Sequence, residues 1–117
     1  MKNKKVLIIL CLTLFISVVG CSEIKKEYYE KGKLKRETTF KNNKQEGPSK
    51  IYYESGALKS EFNYKNGKLE GPEIIYAKNG VISSIDTYKN GQKINKRSYD
   101  KKGKLEFDQD YPYIEEE

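Results

Sequence analysis

The chain has 117 residues and a formal net charge of +6, from 23 basic and 17 acidic side chains. It contains no histidine, so the commonest general base and transition-metal ligand is missing, and we expect neither an enzyme nor a metal or other cofactor. Hydrophobic residues make up 36% of the chain, which predicts a thin core. Positive and negative residues alternate without a long basic block, so we expect no nucleic-acid partner.

The N-terminus has the pattern of an export signal. Lysines precede an uncharged, largely apolar run at residues 6–20, which is followed by Cys21 and then by polar sequence. A transmembrane helix requires about 20 apolar residues, and this run is shorter. We therefore predict that residues 1–20 are a signal segment that is removed.

The end of this segment, Val-Val-Gly-Cys at residues 18–21, resembles the lipobox of bacterial lipoproteins. The resemblance implies cleavage before Cys21 and a lipid on its sulfur, with residues 21–27 as a lipidated N-terminus and short linker. The alternative is an ordinary exported cysteine. Because Cys11 lies in the removed segment, Cys21 would then be a lone thiol in an oxidising compartment, which disfavours that alternative. The resemblance also implies that Ser22, in place of an aspartate, favours onward sorting to an outer membrane if the cell has one. The predicted location is therefore the cell membrane or an outer membrane, with the lipid-anchored chain facing outside the cytoplasm.

The remaining chain is repetitive. Glycines recur 24 residues apart at Gly32, Gly56 and Gly80, and Gly103 follows after 23 residues. A fixed period of this length is typical of a repeat architecture. We predict repeats of about 24 residues over residues 28–111 and a solvated acidic tail at 112–117. Each glycine follows a tyrosine by four residues: Tyr28, Tyr52, Tyr76 and Tyr99.

The turn signals and the alternation within each repeat predict a β-hairpin. Asn-Gly at residues 66–67 and 90–91 is a strong hairpin-turn signal, because both residues accept positive φ. Between turns, apolar and polar residues alternate: in residues 57–65 one face carries Leu58, Ser60, Phe62 and Tyr64. The predicted fold is all-β: an antiparallel β-hairpin repeat meander that forms a single elongated twisted sheet. Pro48 and Pro72 are expected at strand starts or bulges.

The segment from Tyr52 to Pro72, with its aromatic pair, turn glycine, Lys-Asn-Gly and Glu-Gly-Pro, closely resembles the bacterial MORN repeat variant. The resemblance extends from Tyr28 to about Tyr111. Many proteins with this repeat carry a YwqK-like antitoxin label, but a repeat is a scaffold, and function transfers poorly between scaffolds. The third repeat departs from the pattern at Ala77, Ile85 and residues 94–96.

Several repeated side chains are candidates for a binding surface. The tyrosine at position 28 and its equivalents are interpreted as the core of the repeat, although an exposed row of rings could bind an extended partner. The next residues, Tyr29 and Tyr53, face the other way, so we predict that they are exposed and, with Lys35 and Lys59, form the binding surface. The repeated glutamates, interpreted as exposed partners of Lys35, Lys59 and neighbouring lysines rather than catalytic groups, are Glu37, Glu61, Glu46 and Glu70.

The sequence favours a membrane-anchored lipoprotein that acts as a non-enzymatic binding or scaffold module. Its partner would be a protein or a cell-envelope polymer. One alternative is an antitoxin or immunity-type protein that neutralises a partner toxin, and another is a mechanical spacer.

Overall fold

The computed structural model describes residues 20–117, so most of the predicted signal segment lies outside the described residues. The described chain folds as a single open antiparallel sheet, which confirms the predicted all-β hairpin meander. In chain order the strands are β1 (Ser22–Tyr28), β2 (Leu34–Lys41), β3 (Lys44–Tyr52), β4 (Leu58–Lys65), β5 (Lys68–Leu69), β6 (Gly71–Tyr76), β7 (Ile82–Lys89), β8 (Gln92–Tyr99) and β9 (Leu105–Asp110).

Consecutive strands are neighbours throughout the sheet, in the order β1-β2-β3-β4-β6-β7-β8-β9. The two-residue strand β5 pairs with the end of β4 and is separated from β6 by Glu70. Strands β1 and β9 are therefore the two edge strands, each with one unpaired side. Residues 20–117 include no helix that could cross a membrane.

Two kinds of turn alternate and occupy opposite rims of the sheet. Two-residue turns at 42–43, 66–67 and 90–91 join β2 to β3, β4 to β5 and β7 to β8, and all six turn residues have positive φ. We call this side the short-turn rim. On the opposite long-turn rim, Gly56 donates its backbone N–H to Tyr53 at 2.9 Å, and its φ of 90° explains the recurring glycine.

The core lies on one face of the sheet and is thin. Phe62 is the buried hydrophobic side chain of residues 20–117, with 9% of its surface exposed, and its ring meets Tyr64 edge-on at 5.5 Å. The neighbouring buried side chains are small and polar: Thr38 and Ser49 pair across β2 and β3, with 3.1 Å between their hydroxyl oxygens. Ser60 is also buried, which confirms the face predicted from the alternation in β4.

The two Gly-Pro pairs occupy irregular positions, as predicted. Gly47 and Gly71 have φ of 103° and 83°, respectively. Pro72 is the second residue of β6, while Pro48 lies where the register between β2 and β3 shifts. A proline has no N–H to donate, so these irregularities accommodate it.

Both ends of the repeat region are more ordered than the sequence predicted. The residues interpreted as a short linker form β1, which pairs with β2 from Ser22 to Tyr28 because an open strand edge offers unpaired backbone groups. The C-terminal segment turns back along the short-turn rim. There, Ile114 exchanges hydrogen bonds of 2.7 and 3.0 Å with the Gln92 side chain, and Glu116 meets Lys68 at 2.7 Å. The acidic tail is thus exposed but also attached.

Candidate binding surface on the long-turn rim

Tyr29 and Tyr53 each begin a turn on the long-turn rim. They are half-buried rather than freely exposed, which corrects the sequence prediction. The reason is a repeated hydrogen bond: the Tyr29 hydroxyl donates to the carbonyl oxygen of Tyr52, and the Tyr53 hydroxyl to that of Tyr76, each at 2.7 Å. These tyrosines therefore connect consecutive repeats while leaving part of each ring accessible.

Lysines cover these two rings. The ammonium group of Lys35 lies 5.7 Å from the centre of the Tyr29 ring, and that of Lys59 lies 5.6 Å from the centre of the Tyr53 ring. Lys78 approaches the Tyr53 ring from the next turn at 6.0 Å. The structure thus brings the four predicted residues together as two tyrosine–lysine pairs, one per repeat, at distances suited to a cation–π contact.

An open cleft of about 580 Å³ adjoins the first pair. Tyr28 and Tyr29 supply its aromatic surface, while Lys31, Lys33 and Lys35 supply positive charge. Glu54 and Ser55 of the next turn complete the lining together with Glu30. Aromatic faces beside cations suit a sugar ring or an anionic group of an extended partner.

Glu37 and Glu61 bond to other residues than the tyrosine–lysine pairs and serve the fold. Glu37 accepts a hydrogen bond of 2.8 Å from the Tyr52 hydroxyl, and Glu61 accepts one of 2.7 Å from Tyr76. The Tyr52 hydroxyl, with smaller help from Lys26, lowers the pKa of Glu37 despite its partial burial. Burial, followed by the bond to Glu37, raises the pKa of Tyr52.

Glu46 and Glu70 stabilise turns on the short-turn rim. Each carboxylate accepts the backbone N–H of the asparagine in the following two-residue turn, at 2.6 Å for Asn66 and 2.7 Å for Asn90. The interpretation of the repeated glutamates as partners of Lys35, Lys59 and neighbouring lysines holds for Glu37, which lies 3.4 Å from Lys26. Within residues 20–117 none of the four forms an ion pair with Lys35 or Lys59, and their carboxylates accept tyrosine hydroxyls and turn amides instead. The signal that sequence reasoning missed is the constant spacing of 20 residues from glutamate to asparagine.

The third repeat lacks these connections because its residues differ. Ala77 has no ring to reach the next repeat, and Ile85 faces Ile74, with no carboxylate for a tyrosine. Asp86 occupies the place that Phe62 has one repeat earlier and is buried, with 4% exposed. Its carboxylate forms an ion pair with Lys93. The hydrogen bond from Lys93 to Asp86 is the largest of the effects that raise the pKa of Lys93.

Cys21 is exposed and directly precedes β1. Ser22 pairs with Lys41, the last residue of β2, so Cys21 lies at the short-turn rim. The tyrosine–lysine pairs occupy the opposite rim. The intervening strand β2 has eight residues, which corresponds to about 25 Å.

No group of three or more cysteine, aspartate or glutamate side chains within residues 20–117 is arranged to hold a metal ion. The described chain offers instead an open, repetitive surface with paired rings and cations. Such a fold and surface define a repeat-built binding or scaffold module.

The MORN repeat variant model matches residues 24–42, 45–66 and 69–90, more than half of the chain. The chain therefore belongs to the MORN repeat variant family. Its first match begins inside β1, in agreement with the strand found there. No curated protein sequence matches the chain.

Proposed function

We propose that this protein is a lipid-anchored, non-enzymatic binding module that presents its long-turn rim to a partner outside the cytoplasm. The observation that carries the proposal is the placement of two features at opposite rims. Cys21 lies at the short-turn rim, and the pairs Tyr29–Lys35 and Tyr53–Lys59 lie at the long-turn rim. A sheet anchored through Cys21 would hold these pairs away from the membrane.

The short distance from Cys21 to the sheet supports this orientation. Only the peptide bond to Ser22 separates the anchor residue from β1, so no flexible linker would let the sheet reorient freely. The short-turn rim also carries exposed lysines beside its turns, among them Lys41, Lys44 and Lys65. Such lysines are attracted to an anionic membrane surface, each by about 1 kcal/mol when close to it.

The chemistry of the long-turn rim favours an anionic cell-envelope polymer as the partner. Lys35 and Lys59 are exposed and recur one repeat apart, so an extended chain with repeating negative charge could meet both. Contacts of this kind are weakened by salt, because exposed charges are screened over about 10 Å at 0.1 M ionic strength. A folded protein partner, as in the antitoxin or immunity alternative, would bind in a single defined complex and resist moderate salt.

Affinity capture from native envelope extract tests the proposal. The full chain, purified with its anchor in mild detergent, is the bait, and bound glycan and protein are both measured at low and moderate salt. The double variant Lys35→Gln/Lys59→Gln should lose most of the bound polymer. The matched variant Lys41→Gln/Lys65→Gln removes the same charge from the short-turn rim and should retain it.

Equal loss in both double variants would contradict a binding role for the long-turn rim. Capture of one stoichiometric protein that survives moderate salt would favour the immunity alternative over polymer binding. Retention of all binding in Lys35→Gln/Lys59→Gln would exclude these lysines from the contact.

A further inference from the structure

A row of side chains crosses the entire sheet on one face. Each of the eight consecutively paired strands contributes one residue, and neighbours in the row are direct cross-strand partners. Charges alternate along most of the row, which begins with a lysine and ends with an aspartate. Its members, in order from β1 to β9, are Lys26, Glu37, Lys50, Glu61, Ile74, Ile85, Arg97 and Asp108.

The two ends of this row are complementary to each other. Lys26 already lies 3.4 Å from Glu37 on its inner side, and Asp108 lies 3.5 Å from Arg97. On their outer sides both face the unpaired edges of β1 and β9. About half of each side chain is exposed, at 49% and 46%. Opposite charges directly across strands are favourable, so the β9 edge of one molecule suits the β1 edge of another.

The polarity of the strands allows this contact. All pairs in the eight-strand path are antiparallel, and the number of strands is even, so β1 and β9 run in opposite directions. A second copy placed beside β9 with its own β1 would therefore extend the sheet as one more antiparallel pair. The contact would have the same form as the pairing of β7 with β8 within one molecule, where Ile85 faces Arg97.

Tyr28 provides an independent observation. It ends β1 as Tyr52 ends β3 and Tyr76 ends β6, but it is 58% exposed, and its hydroxyl has no partner within residues 20–117. Tyr52 and Tyr76 donate to the glutamates of the preceding β2 and β4. Asp108 holds the corresponding position in β9, so a preceding copy would offer the missing acceptor.

We propose that this protein assembles head to tail with copies of itself, β9 of one molecule pairing with β1 of the next. Asp108 then faces Lys26 of the adjoining copy, and the Tyr28 hydroxyl of that copy donates to the same carboxylate. Glu106 and Asp110 lie on the same face of β9 as Asp108 and surround the incoming lysine with further negative charge. A contact between two different surfaces produces an open chain of molecules rather than a closed dimer.

The C-terminal segment leaves the β9 edge open for this contact. Its backbone turns toward the interior of the sheet, where Tyr111 donates its N–H to the carbonyl oxygen of Ile94 in β8 at 2.9 Å. Farther along, the Ile114 backbone N–H donates to the Gln92 side chain and the Glu116 side chain meets Lys68, and both partners lie inward of β9. The outer backbone edge of β9 pairs with no other strand of residues 20–117, and Leu105 and Phe107, on the face opposite Asp108, are exposed.

Mixing two charge-reversed variants tests the assembly. The full chain in mild detergent, as wild type, Lys26→Glu or Asp108→Lys, is followed by sedimentation over a concentration series. Wild type should form chains of increasing mass, and each variant alone should associate about tenfold more weakly, because a like-charged pair replaces an opposite one. An equimolar mixture should regain wild-type association, since the lysine introduced at position 108 of one chain then faces the glutamate introduced at position 26 of the other.

The outcomes separate assembly from damage to the fold. Circular dichroism identifies a variant that merely misfolds. Two folded variants that do not rescue each other on mixing would overturn the proposal, as would a wild type that stays monomeric up to about 1 mM. Lys65→Glu, which makes the same charge change at the short-turn rim, should leave association unchanged.

Tyr28→Phe supplies a second measurement with little effect on the monomer. It should weaken association by about threefold to tenfold, the loss expected for a hydrogen bond to a carboxylate at a partly exposed site. Tyr99→Phe, at the end of β8 inside the sheet, is the control and should leave association unchanged. If Tyr28→Phe associates as tightly as wild type, the assigned contact with Asp108 is wrong.

Discussion

The hydroxyl of Tyr53 donates to the carbonyl oxygen of Tyr76 at 2.7 Å and so connects the second repeat to the third. Tyr29 makes the same bond to Tyr52 one repeat earlier. These bonds join residues 23 positions apart, beyond the reach of any local turn. In a sheet with little hydrophobic core, such bonds between repeats carry a larger share of the stability than they would in a globular domain.

Removing the Tyr53 hydroxyl should therefore lower the stability of the whole sheet by a measurable amount. Tyr53→Phe should lower the free energy of unfolding by about 1 kcal/mol, since the Tyr76 carbonyl loses a partly buried donor. Urea denaturation of the variant beside Tyr99→Phe measures the difference. Equal stability of the two variants would contradict the role assigned to the Tyr53 hydroxyl.

The carboxylate of Glu70 should protect one particular turn. Glu70→Ala removes the acceptor of the Asn90 N–H and should cost about 1 to 2 kcal/mol, as loss of a charged acceptor at a half-buried site does. Hydrogen exchange should accelerate most at the Asn90 amide. Glu54→Ala, in an exposed turn, is the control, and faster exchange spread evenly over the sheet would contradict the assignment.

The ion pair of buried Asp86 with Lys93 predicts that removing Lys93 alone destabilises the protein more than removing both charges together. Glu73 and Lys96 face Asp86 from β6 and β8, so one further positive charge remains nearby when Lys93 is removed. Lys93→Met should still cost about 2 kcal/mol, less than for a wholly buried pair, because the Lys93 side chain is 34% exposed.

The double variant Asp86→Leu/Lys93→Met should be more stable than Lys93→Met alone. It removes the buried charge and restores an apolar side chain at the place that Phe62 has one repeat earlier. Thermal unfolding of wild type, both single variants and the double variant completes the cycle. A double variant less stable than Lys93→Met would show that the carboxylate has another role.

The hydrogen bond from Tyr52 to Glu37 predicts a dependence of stability on pH. Because the folded state lowers the pKa of Glu37, its contribution is present at neutral pH and is lost as the pH falls through the folded-state pKa. Tyr52→Phe should raise the pKa of Glu37 toward its ordinary value, and the stability difference from wild type should shrink in acid. Carboxyl NMR titration with parallel unfolding curves measures both, and a difference that grows in acid would contradict the sign.

The sequence predicted the sheet well because backbone turns and alternation are local properties. Asn66-Gly67 required positive φ and specified a hairpin, and the alternation around Phe62 specified the buried face. The pairing of Tyr29 with Lys35 also followed from position, since both flank one turn.

The contacts between repeats were not predicted, because periodicity gives the face of a side chain but not the atom that it reaches. The bond from Tyr29 to the Tyr52 carbonyl depends on how far the sheet twists between repeats, which no local pattern encodes. Alternation places Tyr29 on the face opposite Tyr28 and therefore predicts an exposed side chain, because it does not reveal the carbonyl that the hydroxyl reaches. The strand β1 was missed because its residues are all exposed and only its pairing with β2 orders them.

The most direct test of the central claim, that lipid on Cys21 anchors the sheet, is the intact mass of the chain purified from its native membrane. We expect a polypeptide that begins at Cys21 and carries a diacylglycerol group on its sulfur, and a Cys21→Ser variant that leaves the membrane fraction. A free thiol at Cys21, or a Cys21→Ser variant that stays in the membrane fraction, would contradict it.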